Sequence, residues 1–437
     1  MWDSPFLKRY GIPPELLELG RRVEAETAPF VERQETIKAQ NQLKVLSALQ
    51  GVGLGEHHFA GTTGYGYGDS GREALEQAYA VIFGAEAALV RPQIASGTHA
   101  IAACLYGVLR PGDRLVAATG KPYDTLEEVI GVKGNSPGSL RDLGVDYLEV
   151  PLTTEGKVDR ERLLEALEPP TRMVAFQRSR GYSWRPSLSV EELGSLFRSV
   201  KERRPDLVCF VDNCYGEFVE LAEPTQVGAD LLAGSLIKNP GGGLAPTGGY
   251  IVGKKNLVEQ AANRLLAPGI GSRVGATLDL LRPLFQGLFL APHVVGEALA
   301  GAIFTAGIFA ALGFEVSPTA GEQRVDLIQA IRFGAPEPLI AFCRGLQRGA
   351  VVDAHVVPYP APMPGYADEV IMAGSGFVQG SSIELSADAP IRPPYIGYLQ
   401  GGLAREQVKL GVLLAGARLI SEGLIPKRPL KPFGNER

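Results

Sequence analysis

Apolar positions recur along the chain with two different periods. Residues 13–50, PPELLELGRRVEAETAPFVERQETIKAQNQLKVLSALQ, carry apolar side chains at helical spacing with charges between them, which predicts a long helix. The following stretch, GVGLGEHHFAGTTGYGYGDSG, is too rich in glycine for a regular element, and reads as a loop or as backbone shaped around something. From about 72 to 290 two patterns alternate. REALEQAYAVIFG, THAIAACLYGVLR, DRERLLEALE and VEELGSLFRSVKER have helical spacing, whereas AALV, DRLVAAT, VDYLEV, MVAFQ and LVCFVD are short apolar runs. Strands apolar throughout are covered on both faces, so these segments predict an α/β domain with a mostly parallel sheet flanked by helices. From about 291 an uncharged Gly/Ala-rich run, strands around GFEVSP and SSIELSA, and a closing helix REQVKLGVLLAGARLI predict a smaller α+β domain. The expected organisation is a helical arm over 1–50, a large domain over 51–290 and a small one over 291–437, with the arm packing on the small domain or on a second subunit.

Composition narrows the function classes. With 45% hydrophobic and 21% charged residues the chain is that of an ordinary globular protein, and a net charge of −5 points to neither nucleic acid nor an anionic membrane as partner. The uncharged run 298–314, ALAGAIFTAGIFAALGF, is slightly short for a membrane span and reads as a buried helix. The N-terminal stretch lacks the apolar core of a signal peptide, and the four cysteines lack CxxC pairing. A cytoplasmic protein with inert, buried thiols is expected.

Three constellations could carry chemistry. In IASGTHAIAACLYG, Ser96, Gly97 and Thr98 stand between a strand and an apolar helix, where free N–H groups, hydroxyls and the helix dipole form an anion cup; an ordinary N-cap explains the same residues. Asp212 ends the strand of LVCFVDNCYGEF, at the sheet edge where α/β proteins bind ligands, as a partner for a cationic ring nitrogen or as a turn aspartate. In LLAGSLIKNPGGG, Lys238 follows Ser235 by three residues and precedes three glycines; it is either a nucleophilic amine or a solvated surface charge. GGYIVGKK, 248–255, has part of a P-loop spacing but Lys255 where Ser or Thr would hold a metal, and its interior reads as a strand. His57 and His58 lack carboxylate or cysteine partners at ligand spacing, so no metal site is expected.

An anion cup, a strand-end aspartate and a lysine, in that order, resemble the fold-type I pyridoxal-phosphate enzymes. SGTHAI, TGKPYDTLEEVIG, QRSRGY, VDNCYGEF, GSLIKNPGGGLAPTGGY and RPPYIGYLQGGL, spread from about 60 to 403, look most like the bacterial methionine gamma-lyase family, also called aluminium resistance proteins, within the cystathionine/methionine-lyase branch. The resemblance implies that Lys238 forms the internal aldimine with pyridoxal 5'-phosphate and then moves protons, while Asp212 keeps the pyridine nitrogen protonated. It further implies that Ser96, Gly97, Thr98 and Ser235 take the phosphate, and that Tyr123 stacks on the ring and relays protons. Arg392 would clamp the substrate carboxylate, and Tyr65 and Tyr67 would serve the neighbouring subunit's phosphate site in a homodimer or homotetramer. Arg178, Ser179 and Arg180 would face the cofactor hydroxyl or the substrate, and no role is assigned to His99. The motif departs from the mainstream lyases, which carry SxTK where this chain has Ser235-Leu236-Ile237-Lys238, so one phosphate hydroxyl is missing. The expected reaction is carbon–sulfur or related elimination on an amino acid, a small-molecule substrate; the alternatives are an aminotransferase, an aldolase-type lyase, or a non-catalytic member binding the cofactor or a partner.

Overall fold

The structure, a computed structural model, describes residues 1–133, 137–363, 366–374 and 376–426. It divides into two compact units, residues 40–292 and residues 1–39 with 293–437. Both boundaries fall inside helices, α1 (Pro14–Gly51) and α8 (Leu281–Ala311).

Unit 40–292 contains, in chain order, α2 (Ser70–Phe83), β1 (Ala87–Arg91), α3 (Gly97–Val108), β2 (Arg114–Ala117), α4 (Asp124–Ile130), β3 (Asp146–Glu149), α5 (Arg160–Glu165), β4 (Thr171–Gln177), α6 (Val190–Arg203), β5 (Val208–Asp212), β6 (Leu231–Ser235), β7 (Gly249–Gly253) and α7 (Lys255–Leu265). The seven strands form one sheet in the order β1-β7-β6-β5-β4-β2-β3. The five from β6 to β3 run parallel, and β7 lies antiparallel between β1 and β6. Every residue of β5, β6 and β7 is buried, the result of strands apolar on both faces being covered by helices on both sides. Side chains from α3, α7 and the central strands share one core, with Ile101, Leu105, Phe210, Leu231, Ile251 and Val258 in it. The helix starts follow their capping residues: Asp69, Ser96, Asp159 and Ser189 each accept an N–H from the first turn that follows.

The other unit holds a five-stranded antiparallel sheet in the order β10-β11-β12-β9-β8, where β8 is Glu315–Ser317, β9 Gln329–Arg332, β10 Val370–Ala373, β11 Ser386–Pro390 and β12 Ile396–Gln400. Helices α9 (Pro336–Gln347) and α10 (Arg405–Ser421) pack so closely that a Cβ on Gly345 would lie 2.4 Å from the Cα of Ala415. The strand expected over SSIELSA begins only at Ser386. Glu384, within that segment, accepts the N–H groups of Phe377 and Val378 at 2.9 Å each, so the chain turns there instead of pairing. The uncharged run belongs to α8, which is long and apolar enough to cross a membrane; its most apolar window is 94% buried within the protein, as a core helix is.

The three glycines after Lys238 are a packing requirement. A Cβ on Gly241 would meet the carbonyl oxygen of Leu236 at 1.8 Å, one on Gly242 (φ 52°) the carbonyl of Gly287 at 2.3 Å, and one on Gly287 the carbonyl of Gly241 at 2.2 Å. The turn that follows Lys238 therefore lies backbone against backbone on α8. Gly287→Ala should lower stability by about 1–3 kcal/mol through overpacking, seen as a reduced melting temperature, whereas alanine at Gly51, where a Cβ meets nothing within 4 Å, creates no such clash.

Candidate active site

Parallel strands β4, β5 and β6 end at the same edge of the sheet. Their register pairs Gln177 with Asp212 and Asp212 with Ala233, so Asp212, Ser235 and Lys238 emerge together where the start of α3 meets them. The closeness at that junction is backbone-driven: a Cβ on Gly97 would stand 3.2 Å from Cys214 Sγ and 3.4 Å from Ser235 Cβ.

Asp212 is 8% exposed and backed by a cavity of about 30 Å³ lined by Leu115, Phe176, Phe210 and the aspartate itself. Burial raises its carboxyl above the ordinary aspartate range; the charge of Lys238 and the Cys214 N–H, donating to Oδ1 at 3.1 Å, oppose that rise only in part. A cation placed against Oδ1 and Oδ2 would stabilise the carboxylate. Lys238 has its Nζ 4.0 Å from the ring centroid of Tyr215, a residue held at φ 73°, in the left-handed region disfavoured for tyrosine. Burial pushes the amine down, but the groups around it, Asp212 among them, outweigh it and hold the ammonium above the usual lysine range.

Thr98 Oγ1 lies 3.1 Å from the Tyr123 hydroxyl and 3.2 Å from Thr125 Oγ1, which ties the start of α3 to the start of α4. Burial and the charge of Asp212 push the Tyr123 phenol up, so it stays a donor. Ser96 caps α3, accepting the N–H of His99 at 3.0 Å, and His99 Nδ1 in turn accepts the N–H of Ala95 at 3.1 Å. Gly97 and Thr98, first in the helix, have no carbonyl one turn earlier to receive their N–H groups. Ser235 Oγ is buried with no hydrogen-bond partner among the described residues. An unsatisfied hydroxyl, uncommitted N–H groups and a helix N-terminus at one point suit a phosphate.

The structure thus brings Ser96, Gly97, Thr98, Tyr123, Asp212, Ser235 and Lys238 into one neighbourhood. Tyr65 and Tyr67 are instead 68% exposed and stacked on each other with centroids 5.4 Å apart. Their loop is fastened from below by Arg72, whose Nη1 donates to the carbonyls of Gly66 at 2.7 Å and Gly275 at 2.8 Å. Arg392 belongs to the other compact unit, where Nη1 donates to Asp368 at 3.2 Å. The segment Gly249–Gly253 is β7, and Lys254 pairs with Asp230 at 2.7 Å, so the partial P-loop spacing is a strand and its following turn. Cys104, Cys209, Cys214 and Cys343 are all free and buried, yet Cys214 sits inside the site beside Asp212, a placement that spacing alone did not reveal.

Of the open arginines, Arg178 is an internal anchor. It is fully buried, donates to Asn213 Oδ1 at 2.8 Å and Glu220 Oε2 at 2.7 Å, and stands 3.6 Å from Glu223. Since Asn213 follows Asp212, this network fixes the strand end from behind. Ser179 lends its carbonyl to Arg185, and the Arg180 N–H donates to Ser187 Oγ at 3.1 Å.

A family model described as Methionine gamma-lyase matches residues 16–420. The uncharacterized protein YnbB of Bacillus subtilis (strain 168) is 52% identical over 411 residues, 94% of this chain and 98% of that protein. The crystal structure of a carbon-sulfur lyase involved in aluminum resistance from Clostridium novyi NT superposes with a TM-score of 0.91 at 48% identity, covering 95% of this chain and 98% of the other. The pyridoxal-5'-phosphate-dependent protein YhfS of Escherichia coli shares the fold alone, with a TM-score of 0.59 at 16% identity over 88% of this chain and 96% of that one.

Removing the Arg178 guanidinium leaves the buried Glu223 and the partly buried Glu220 without this cation. Arg178→Met should cost about 3–5 kcal/mol, read as a shift of the denaturant midpoint in the protein with no cofactor added.

Proposed function

The chain belongs to the methionine gamma-lyase family, and from that premise we propose that it is a pyridoxal-phosphate-dependent lyase cleaving a carbon–sulfur bond in an amino acid. The observation that carries this reading is the meeting of Lys238 and buried Asp212 with an anion-ready helix start at one sheet edge. The fit of the group to these residues rests on Ser235 Oγ, a buried hydroxyl awaiting a partner, and on Asp212, a buried carboxyl awaiting a cation.

Pyridoxal phosphate supplies an electron sink that stabilises negative charge at the substrate α-carbon. Ser96, Gly97, Thr98 and Ser235 would hold its phosphate through N–H and hydroxyl groups, and Asp212 its ring nitrogen as a salt-bridged cation. Lys238 would offer the amine for the cofactor aldehyde and, when free, would serve as a base toward the substrate α-proton. Tyr123, whose phenol remains protonated beside Thr98, would stack on the ring and donate a proton to a departing sulfur. Arg392 is proposed as the clamp for the substrate carboxylate, and the exposed pair Tyr65 and Tyr67 as a contribution to a neighbouring subunit's site in a homodimer or homotetramer. Four free cysteines agree with a reducing, cytoplasmic setting.

Two measurements test this reading. Protein incubated with pyridoxal phosphate should absorb in the visible, and borohydride reduction should fix the cofactor mass on the peptide containing Lys238; Lys238→Ala should show neither. With a sulfur amino acid the products should be a keto acid, ammonia and a thiol. Amino transfer to an added keto acid, or a protein that takes up no cofactor, would overturn the assignment.

A further inference from the structure

Behind Lys238 stands a second carboxyl that the proposed chemistry does not use. Glu217 is fully buried, with Oε1 accepting from the Tyr250 hydroxyl at 2.6 Å and Oε2 without a partner among the described residues. The pair is seated on the strand that delivers Lys238. Tyr250 lies directly across from Gly234 in the β6–β7 register, and a Cβ on Gly234 would meet the Tyr250 hydroxyl and Glu217 Oε1 at 2.7 Å each. Asn239, immediately after Lys238 and itself fully buried, donates to the Glu217 carbonyl at 2.9 Å. Backbone hydrogen bonding and close packing thus join Glu217 to both sides of the Lys238 turn.

The groups facing Glu217 are Tyr250 on β7, Tyr79 on α2, Cys214 and Glu223 in the segment after β5, and Lys238. Lys238 is cationic, and so is Arg178, which lies beside Gly216 and stands 3.6 Å from Glu223; Glu223 nonetheless disfavours a further negative charge. An ionised Glu217 would leave Oε2 charged, dry and unbonded. We propose that Glu217 is a positioning residue for Lys238, a buried carboxyl that stays protonated beside the amine and so leaves Asp212 as the one carboxylate acting on it. Burial accordingly pushes Glu217 up to about 8, against the hydrogen bond from Tyr250 and the charge of Lys238. Above that pH the second carboxylate appears and stabilises the ammonium, so the amine becomes harder to free. The inference rests on the reading of Lys238 as the reacting amine.

The test uses full-length protein without cofactor. Acetic anhydride labels lysines in proportion to their free amine, and mass spectrometry reads the Lys238 peptide against the exposed lysines of the same sample. In the wild type the rise of Lys238 labelling with pH should bend downward near pH 8. E217Q should match the wild type at pH 7 and, at pH 9.5, label Lys238 about threefold faster, half a pKa unit of coupling. Y250F, which removes a hydrogen bond favouring the charged form, should move the bend to higher pH. Stability gives an independent sign: unfolding frees Glu217 to lose its proton near 4.5 but the native group holds it to about 8, so wild-type stability should fall relative to E217Q as pH rises between those values. A wild-type profile with no bend, or one that E217Q leaves unchanged, overturns the proposal even if the variants fold poorly. Failure of pyridoxal phosphate to bind, with the bend present and lost in E217Q, would count against the functional reading alone.

Discussion

The site depends on one electrostatic constraint: an amine and a carboxyl share a water-poor sheet edge where nearly every other titratable group is driven neutral. Burial holds the thiol of Cys214 and the phenols of Tyr123 and Tyr250 in their protonated forms. Charge in the neighbourhood is thereby concentrated on Lys238 and Asp212, and each makes the other's charged form easier to keep. In water such a pair would be worth little; with solvent displaced, its geometry and the arrival of any third charge matter a great deal. A cation beside Asp212 and an anion at the start of α3 would satisfy groups that the protein alone leaves incompletely satisfied.

Holding the pair in place is the task of a second, inner layer. Asp212 and Lys238 are each followed by a fully buried asparagine, and both asparagines are tied behind the sheet edge. Asn213 receives Arg178 and donates to Glu223 at 3.1 Å, while Asn239 donates to the Glu217 carbonyl. An amide supplies donor and acceptor without adding charge, so it can anchor a turn without altering the balance on its neighbour. The formal charges of that layer gather at Arg178, Glu220 and Glu223, one residue further back.

What was legible in the sequence divides along the same line. Runs such as LVCFVD and MVAFQ are apolar on both faces, and that alone indicates a covered parallel sheet; β4 and β5 lie where those runs are. Asp212 could be placed because it ends such a run, and Ser96-Gly97-Thr98 because it separates a strand from an apolar helix. Glu217 and Tyr215 could not, since a glutamate and a tyrosine in a post-strand segment look like solvent-facing residues until burial is known. Arg178 was ambiguous for the converse reason: nothing in QRSRGY tells which arginine turns inward to meet Glu220 and Glu223, residues some forty positions later. In the smaller sheet, Ser386–Pro390 was only partly legible because it mixes small and polar residues and owes its pairing to neighbouring strands.

A lysine between an apolar run and a glycine triplet looks like a contradiction, since one residue wants water and its surroundings exclude it. The structure resolves it through distance of approach. β6 carries no side chain at Gly234, so Glu217 and Tyr250 can lie against its backbone; beyond the lysine, Gly241 and Gly242 let the chain turn back at once onto α8. With bulky residues at these positions the turn would be wider and Lys238 would swing outward, toward the solvent that an ammonium prefers. Close backbone packing on both sides instead keeps the lysine short of that solvent. It leaves the amine against Tyr215, within the electrostatic reach of Asp212 and Tyr123. Glycine in this segment is therefore an electrostatic device as much as a conformational one: by removing side chains it sets how much water the lysine can see.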